Sequence, residues 1–130
     1  MDTANVCQFV FGPGWELLGM DELAQMNSAI LGWEMTVDDL MTYGERRLNL
    51  LRAFNAREGF TRDDDTLPRR LFDEPLEGGS SDGISIDEDE FEEALDEYYR
   101  QAEWDPDTGN PTRPTLERLD LAWVADLIGV

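Results

Sequence analysis

The sequence predicts an all-α fold, an irregular multi-helical domain arranged around one long central helix at about residues 37–57. Three observations predict it. Thr36 followed by Asp39 is a capping pattern for a helix start, and Gly59 stands where a left-handed C-terminal cap is expected. Apolar residues recur at helical spacing in the long helix and in most of the remaining chain. We expect residues 1–130 to form a single domain.

Apolar residues fill more than half of the circumference of the long helix. At about 100° per residue, this apolar arc comprises Val37, Leu40, Met41, Tyr43, Gly44, Leu48, Leu50, Leu51 and Phe54. We therefore expect the helix to be covered on more than one side. Arg47 and Asn55 fall inside the arc and are candidates for buried side chains with fixed partners. Gly44 is expected where another backbone approaches closely. Ordinary compromises in core packing are an alternative explanation for all three.

Before the long helix, the chain has a short apolar run that ends at turn-forming residues and then a segment with helical spacing. Residues 9–11 form a short apolar run that residues 12–14, Gly-Pro-Gly, close, so we expect a loop or a short strand. Residues 15–31 show helical spacing with a break near residues 19–21. One or two helices are predicted there, with Gly32 as the stop.

After the long helix, Thr66 is expected to cap a short helix, with Pro68 in its first turn. Residues 74–86 have the glycine, serine and proline content of a flexible loop. A helix then runs from Asp87 to about Ala102.

The last helical region, residues 115–128, should break around Asp120. The residues that these two final regions are expected to bury are Phe91, Leu95, Tyr98, Tyr99, Ala102, Leu116, Leu119, Leu121, Val124 and Ile128.

Charge excludes several classes of partner. Ten basic and thirty acidic residues give a net charge of −20. Such a charge argues against binding to nucleic acid through its phosphates and against docking on an anionic membrane. Every basic residue is arginine, and lysine and histidine are both absent. This composition is typical of halophilic proteins from a salt-saturated cytoplasm.

Cysteine usage and hydropathy favour a cytoplasmic location. Cys7 is the only cysteine, which excludes an intramolecular disulfide and suits a reducing cytosol. No basic leader precedes an apolar run, and no segment reaches the length of about 18 apolar residues that spans a bilayer.

Few residues offer chemistry. Without histidine, acid and base duties fall to carboxylates, tyrosines or Cys7, and spacing alone indicates no carboxylate pair. Residues 81–85 and 105–109 resemble calcium loops superficially, but their ligand positions do not fit that pattern. We assign no catalytic residue.

Many residues of the chain follow a family pattern in order and approximate spacing. They are Gly44-Glu45-Arg46, Asn49-Leu50, Arg52, Phe54-Asn55, Arg57-Glu58-Gly59, Asp64-Asp65, Leu67-Pro68, Glu97-Tyr98-Tyr99, Trp104-Asp105, Gly109, Pro111-Thr112, Leu116, Leu119 and Leu121. With them, the chain resembles the C-terminal part of the aldehyde ferredoxin oxidoreductase family, tungsten or molybdenum pterin enzymes that also carry a [4Fe–4S] cluster. The resemblance extends from Asp2 to about Leu121, and residues 75–88 do not match.

The resemblance implies two cofactor contacts near the start of the chain. The family has an Asp-x-x-Gly-Leu-Cys type of motif there, and this chain has Asp-Thr-Ala-Asn-Val-Cys at residues 2–7. By resemblance, Cys7 is the last thiolate ligand of the cluster, and Asp2 is a hydrogen-bonding partner of the pterin. Asn5 and Val6 depart from the motif. Because such a cluster takes about four thiolates, we expect no cofactor in the isolated chain. Cys7 as a small apolar residue beside residues 9–11 is the alternative interpretation.

The matching residues of the long helix carry no catalytic role by resemblance. We interpret Arg46, Asn49, Arg52 and Asn55 as structural hydrogen-bonding residues.

Two functions remain open at this stage. In the first, the chain is the C-terminal domain of an aldehyde ferredoxin oxidoreductase, which oxidises aldehydes to carboxylic acids and passes electrons to ferredoxin. It would then be inactive without the rest of the enzyme, which is its expected partner. In the second, it is a non-catalytic acidic helical module for binding or assembly.

The first function predicts an exposed apolar docking face. We expect Phe9, Val10, Phe11 and Trp15 to belong to it, and we expect residues 1–14 to be mobile when the cofactors are absent.

Overall fold

A computed structural model describes Cys7 and residues 18–130, and the described residues form six α-helices and no strand. The predicted all-α class is therefore confirmed. Two short 3₁₀ helices, Arg62–Asp64 and Gly79–Ser81, lie in the connections. The α-helices are α1 (Met20–Leu31), α2 (Val37–Arg57), α3 (Arg70–Asp73), α4 (Glu88–Ala102), α5 (Arg113–Arg118) and α6 (Ala122–Ile128).

Helix α2 begins and ends where the sequence predicts. The Thr36 backbone N–H donates to Asp39 Oδ2 at 2.8 Å, and the Asp39 N–H donates to Thr36 Oγ1 at 3.1 Å. These bonds satisfy two of the N–H groups that a helix start leaves unpaired. The Thr36 backbone N–H and the Thr36 hydroxyl both donate to Asp39 Oδ2, and these two bonds lower the pKa of Asp39 below its usual value. After the last turn, Gly59 adopts a positive φ of 94°, the left-handed region that glycine enters without steric cost.

The apolar core lies between α2 and the C-terminal helices. Ala53 of α2 is 2% exposed and contacts a cluster from α5, α6 and the residues between them. The other buried members of this cluster are Leu116, Leu119, Leu121, Val124 and Ala125. The predicted break between the helices is confirmed at Asp120, whose φ of 57° turns the chain so that both helices face Ala53.

Helix α2 does not bury the face that its sequence favours. Its buried residues are Asn49, Arg52 and Ala53, whereas six large members of the apolar arc are 38–55% exposed. The exposed members are Met41, Tyr43, Leu48, Leu50, Leu51 and Phe54. The prediction that α2 is covered on more than one side is therefore wrong for the part of the chain that the structure describes. Packing against α5 and α6 selects the face with small and hydrogen-bonded residues.

The structure changes the interpretation of three unusual residues of the arc, Arg47, Asn55 and Gly44. Arg47 and Asn55 are exposed, so the prediction that they are buried is wrong. No atom of another described element lies within 4 Å of a Cβ placed on Gly44. The close backbone approach predicted at Gly44 is therefore absent among the described residues.

Upstream of α2, the described residues form one helix. Helix α1 starts after Gly19 and ends at Gly32, whose φ of 79° makes the predicted stop. Its buried residues Leu23 and Ala24 are 3% and 4% exposed. Residues 9–17 lie outside the described part of the chain.

The segment after α2 differs from expectation at one cap. Helix α3 begins at Arg70 with Arg69 as its N-cap, so the prediction of Thr66 as the cap is wrong. The 3₁₀ turn Arg62–Asp64 lies between α2 and Thr66, and residues 65–69 form no helix. Within residues 74–86, the Leu76 N–H donates to the Ile84 carbonyl at 2.8 Å, and the Gly83 N–H donates to the Leu76 carbonyl at 2.8 Å. The flexibility of this loop stays a prediction.

Helix α4 matches its predicted bounds. The Asp87 carboxylate accepts the Glu90 N–H at 3.0 Å and caps its start. Tyr99 is 1% exposed, as predicted, but Tyr98 is 45% exposed, so its assignment to the core is wrong. None of the helices in the described ranges is long and apolar enough to cross a membrane.

Candidate functional site

Of the two residues that the sequence assigns to cofactors, Asp2 and Cys7, the structure describes only Cys7. The Cys7 thiol is free and exposed, and Asp2 lies outside the described residues. An iron–sulfur cluster of this kind needs about four thiolates, and the chain has one. Among the described residues, no group of three or more metal-ligating side chains converges on one point. A complete cluster site would therefore need ligands from another polypeptide segment.

A buried arginine organises the most connected polar site of the described chain. Arg52 lies on the inner face of α2, 7% exposed. Its Nε donates to the Gly109 carbonyl at 2.7 Å, and its Nη1 donates to Asp65 Oδ1 at 2.8 Å. Nη2 lies 2.6 Å from Asp65 Oδ2, so the ion pair is bidentate. The N–H direction at Nη2 is poor for a hydrogen bond. Arg52 thus joins α2 to two segments remote in sequence.

Asp65 connects this arginine to α4. Its Oδ2 also accepts the hydroxyl hydrogen of Tyr99. Burial, together with the hydrogen bond and the negative charge of Asp65, raises the pKa of Tyr99 to about 12 against the opposing charges of Arg52 and Arg62. Tyr99 is therefore protonated at neutral pH and serves as a donor rather than a base.

A second bond ties α2 to the loop after α4. Trp104 is 7% exposed, and its Nε1 donates to Asn49 Oδ1 at 3.0 Å. The Asn49 amide nitrogen donates in turn to the Glu45 carbonyl at 2.9 Å. The guanidinium of Arg52 lies 5.3 Å from the centre of the Trp104 ring, close enough for a cation–π contact.

The loop over residues 105–111 is shaped to meet Arg52. Asp105 Oδ1 accepts the backbone N–H groups of Asp107 and Thr108 and the Thr108 hydroxyl, and these bonds lower the pKa of Asp105. Gly109 follows with a φ of 69°, and a Cβ there would lie 2.7 Å from the Tyr99 hydroxyl. Only glycine fits both the conformation and the space.

Above this network the structure has an open groove. Leu48 and Leu51 of α2 form one wall, and Leu95 and Tyr98 of α4 form the other. The groove has a volume of about 250 Å³, with the Arg52–Asp65–Tyr99 network at its floor. Its floor is charged and hydrogen-bonded, and its walls are apolar, so the groove is suited to holding a packed side chain or helix.

The network holds elements together and offers no catalytic machinery. The interpretation of Asn49 and Arg52 as structural hydrogen-bonding residues is confirmed by their contacts. Within the part of the chain that the structure describes, Arg46 makes a long ion pair of 3.7 Å with exposed Asp120, and Asn55 is exposed. Sequence reasoning predicted Tyr99 only as a buried residue and gave no role to Asp65, Trp104 or Gly109. Each of these residues is part of the family pattern, and that pattern was the signal in the sequence that could have pointed to them. Spacing along the chain cannot show that residues so far apart converge.

Comparisons with known proteins agree with the resemblance. The sequence profile described as "Aldehyde ferredoxin oxidoreductase, domains 2 & 3" matches residues 1–121. The tungsten-containing aldehyde ferredoxin oxidoreductase of Pyrococcus furiosus is 36% identical over 124 residues, covering 94% of this chain and 19% of that protein. The corresponding protein of Thermococcus kodakarensis is 35% identical over 124 residues, with the same coverage of 94% and 19%.

A solved structure shares the fold. It is the active site complex BamBC of benzoyl coenzyme A reductase with 1,5 dienoyl-CoA, with a TM-score of 0.68 and 29% identity. The match covers 84% of this chain and 15% of that one. The chain thus spans about a fifth of the length of the relatives that it matches.

Proposed function

Because the chain belongs to the aldehyde ferredoxin oxidoreductase family, we propose that it acts as the C-terminal domain of a tungsten pterin enzyme that oxidises aldehydes to carboxylic acids. Ferredoxin is the proposed electron acceptor. The observation that carries this proposal is the similarity to tungsten-containing relatives, which extends over 94% of the chain. Molybdenum in place of tungsten is the alternative metal.

The proposal requires the remaining oxidoreductase, meaning the part of the enzyme that this chain does not include. The matched region is 19% of the Pyrococcus furiosus protein. The remaining oxidoreductase would supply the other cluster cysteines, most pterin contacts and any general acid or base. Within this chain, Cys7 is the proposed cluster ligand, and its exposed thiol is available to a partner segment. Asp2 is the proposed hydrogen-bonding partner of the pterin. When bound, the pterin metal and the cluster supply the redox chemistry that protein side chains lack.

The Arg52 network supports this role by fixing the domain's shape. It links α2, the segment ending at Asp65, α4 and the loop at Gly109 through groups that are already paired. A cofactor contact must be held within about 0.5 Å of its working position. We therefore assign the network to positioning and not to proton transfer.

A second candidate function is a reductase. The structural match to the active site complex of benzoyl coenzyme A reductase favours it, because it shows that the same domain architecture occurs in a protein of that name. The identity of 29% is lower than the 36% to the tungsten-containing aldehyde enzyme, so aldehyde oxidation is preferred.

The free-standing acidic module is less well supported. Six large apolar residues on one side of α2 are 38–55% exposed. Monomeric proteins rarely leave so continuous an apolar surface open to water. The predicted members of a docking face, Phe9, Val10, Phe11 and Trp15, lie outside the described residues.

Co-expression tests the proposal. The chain is produced together with the remaining oxidoreductase, which carries an affinity tag, and the purified complex is analysed for tungsten, iron, labile sulfide and pterin. We expect a stoichiometric complex that contains all four. The isolated chain, purified in parallel, should hold no stoichiometric iron, since it offers one thiolate. A complex without metal and pterin, or iron retained by the monomeric chain, would contradict the proposal.

A substitution separates the role of Cys7 from that of the fold. In the complex, Cys7→Ser should lower the iron content and change the electron paramagnetic resonance signal of the cluster while the complex stays assembled. Ser80→Ala, an exposed change in the loop of residues 74–86, is the control and should leave both unchanged. An unaltered cluster signal in Cys7→Ser would assign the fourth ligand elsewhere. We also propose a cytoplasmic location, which suits a lone reduced thiol.

A further inference from the structure

The exposed side of α2 has the spacing of a helix-packing seam. Val37, Met41, Gly44, Leu48, Leu51 and Asn55 follow one another in steps of four and three residues. This alternation places them on one stripe, as in the contact positions of a coiled coil. Met41, Leu48 and Leu51 are 55%, 42% and 49% exposed. At about 1.5 Å per residue, the seam is about 27 Å long.

Charge sets the seam apart from the rest of the surface. The chain has thirty acidic residues, and three of them, Asp38, Asp39 and Glu45, lie in α2. All three lie outside the apolar arc. The arc is wide and the chain is strongly acidic, so many positions of the arc could have carried a carboxylate. Burying a carboxylate against an apolar partner is costly. Their absence is what a buried interface requires.

Gly44 lies in the middle of the seam without a use inside the described chain. A glycine in a helix interior costs about 1 kcal/mol relative to alanine. No atom of another described element comes within 4 Å of a Cβ placed there. The missing side chain therefore makes room for something that is not among the described residues. A glycine at a contact position lets a second helix approach closely.

The groove gives the C-terminal half of the seam a second wall. Leu48 and Leu51 face Leu95 and Tyr98 of α4 across it, and Tyr98 is 45% exposed. An element lying on the seam would therefore be contacted from two sides. Asn55 at the end of the stripe offers a polar group, of the kind that fixes register in helix pairs.

From this arrangement we propose that an α-helix of the remaining oxidoreductase packs along the seam from Val37 to Asn55, with its closest approach at Gly44. The proposal rests on the proposed function, since the occupant belongs to the roughly four-fifths of the relatives' length that this chain does not cover. The helix should carry an apolar stripe of about 18 residues, which matches the length of the seam.

Two variants and one control test the seam. Gly44→Leu fills the space left for the partner, and Leu48→Glu places a charge in the seam. Leu76→Glu makes the same change at a side chain that is 55% exposed in the loop of residues 74–86. Each is titrated against the tagged remaining oxidoreductase by biolayer interferometry. Gly44→Leu and Leu48→Glu should weaken binding by on the order of tenfold or more, and Leu76→Glu should not.

The isolated variants supply the folding control. Because no other described element lies within 4 Å of a Cβ placed on Gly44 and leucine favours helix more than glycine does, Gly44→Leu should leave the melting temperature of the free chain unchanged or raise it. Loss of binding together with retained stability is the expected result and indicates an interface.

The remaining outcomes are distinct. If both seam variants bind as tightly as the wild type, the seam inference is overturned and the proposed function stands. If the wild-type chain itself does not bind the remaining oxidoreductase, both fail. A wild-type homodimer that Gly44→Leu dissociates would assign the seam to a second copy of the chain and would also overturn the inference.

Discussion

Replacing Arg52 by methionine should destabilise the chain more than any comparable change on the surface of α2. Methionine keeps the length and the helix propensity of arginine but removes every polar contact. The Gly109 carbonyl loses a donor at 2.7 Å, and Asp65 loses both its hydrogen bond at 2.8 Å and its ion-pair partner at 2.6 Å. The Tyr99 hydroxyl would remain as a donor to the Asp65 carboxylate.

The magnitude follows from the burial of the two partners. Removing one member of a buried ion pair costs about 3–5 kcal/mol, because the other charge is left uncompensated. Arg52 is 7% exposed, but the Asp65 side chain is 28% exposed, so water partly solvates the carboxylate that remains. We therefore expect the lower end of the range, a loss of about 3 kcal/mol in the free energy of unfolding.

Arg57→Met is the matched control. Arg57 is on the same helix and pairs with Glu58 at 2.7 Å, but the two side chains are 52% and 48% exposed. Exposed pairs contribute about 0–1 kcal/mol. Urea unfolding is followed by tryptophan fluorescence and circular dichroism in about 1 M KCl, where charges are screened beyond about 3 Å. A loss below about 1 kcal/mol for Arg52→Met, or equal losses in the two variants, would refute the assignment of Arg52 as a buried organising residue.

Further predictions concern the same network and the surface charge. Gly109→Ala should lower the free energy of unfolding more than Gly59→Ala does. Both glycines have a positive φ, 69° at Gly109 and 94° at Gly59, but only at Gly109 would a Cβ lie 2.7 Å from the Tyr99 hydroxyl. Equal losses in the free energy of unfolding in urea would exclude the close approach. Because the pKa of Tyr99 is raised to about 12 in the folded chain, against about 10 in an unfolded one, its contribution to stability is complete below pH of about 10 and is lost as the pH rises towards about 12. The stability of Tyr99→Phe should fall less steeply over that interval, and parallel pH profiles would contradict this. With a net charge of −20, the melting temperature should rise with KCl, and a flat or falling series in a circular dichroism melt would show that repulsion is unimportant.

Sequence reasoning succeeded for most features that depend on near neighbours in the chain. The bounds of α2 follow from the Thr36–Asp39 capping pair and the left-handed Gly59, which need no distant contact. The break at Asp120 follows in the same way from local backbone geometry. The family could also be recognised from the order of the matching residues. Thr66 was placed wrongly as a cap, because the helix begins only at Arg70, four residues further along the chain.

The orientation of α2 could not be read from the same residues. Its periodicity defines an apolar arc and a polar face, and hydrophobic burial within a lone domain would turn the arc inward. The tertiary structure turns it outward, because Asn49 and Arg52 find partners at Trp104, Asp65 and Gly109 that lie far along the chain. Which face of a helix is buried depends on what packs against it. The sequence by itself therefore determined helix α2, the ends of that helix and the family of the chain. Only the tertiary structure decided which side of α2 was left for another polypeptide. The physical reason is that the buried partners of α2 come from segments that no local pattern connects to it.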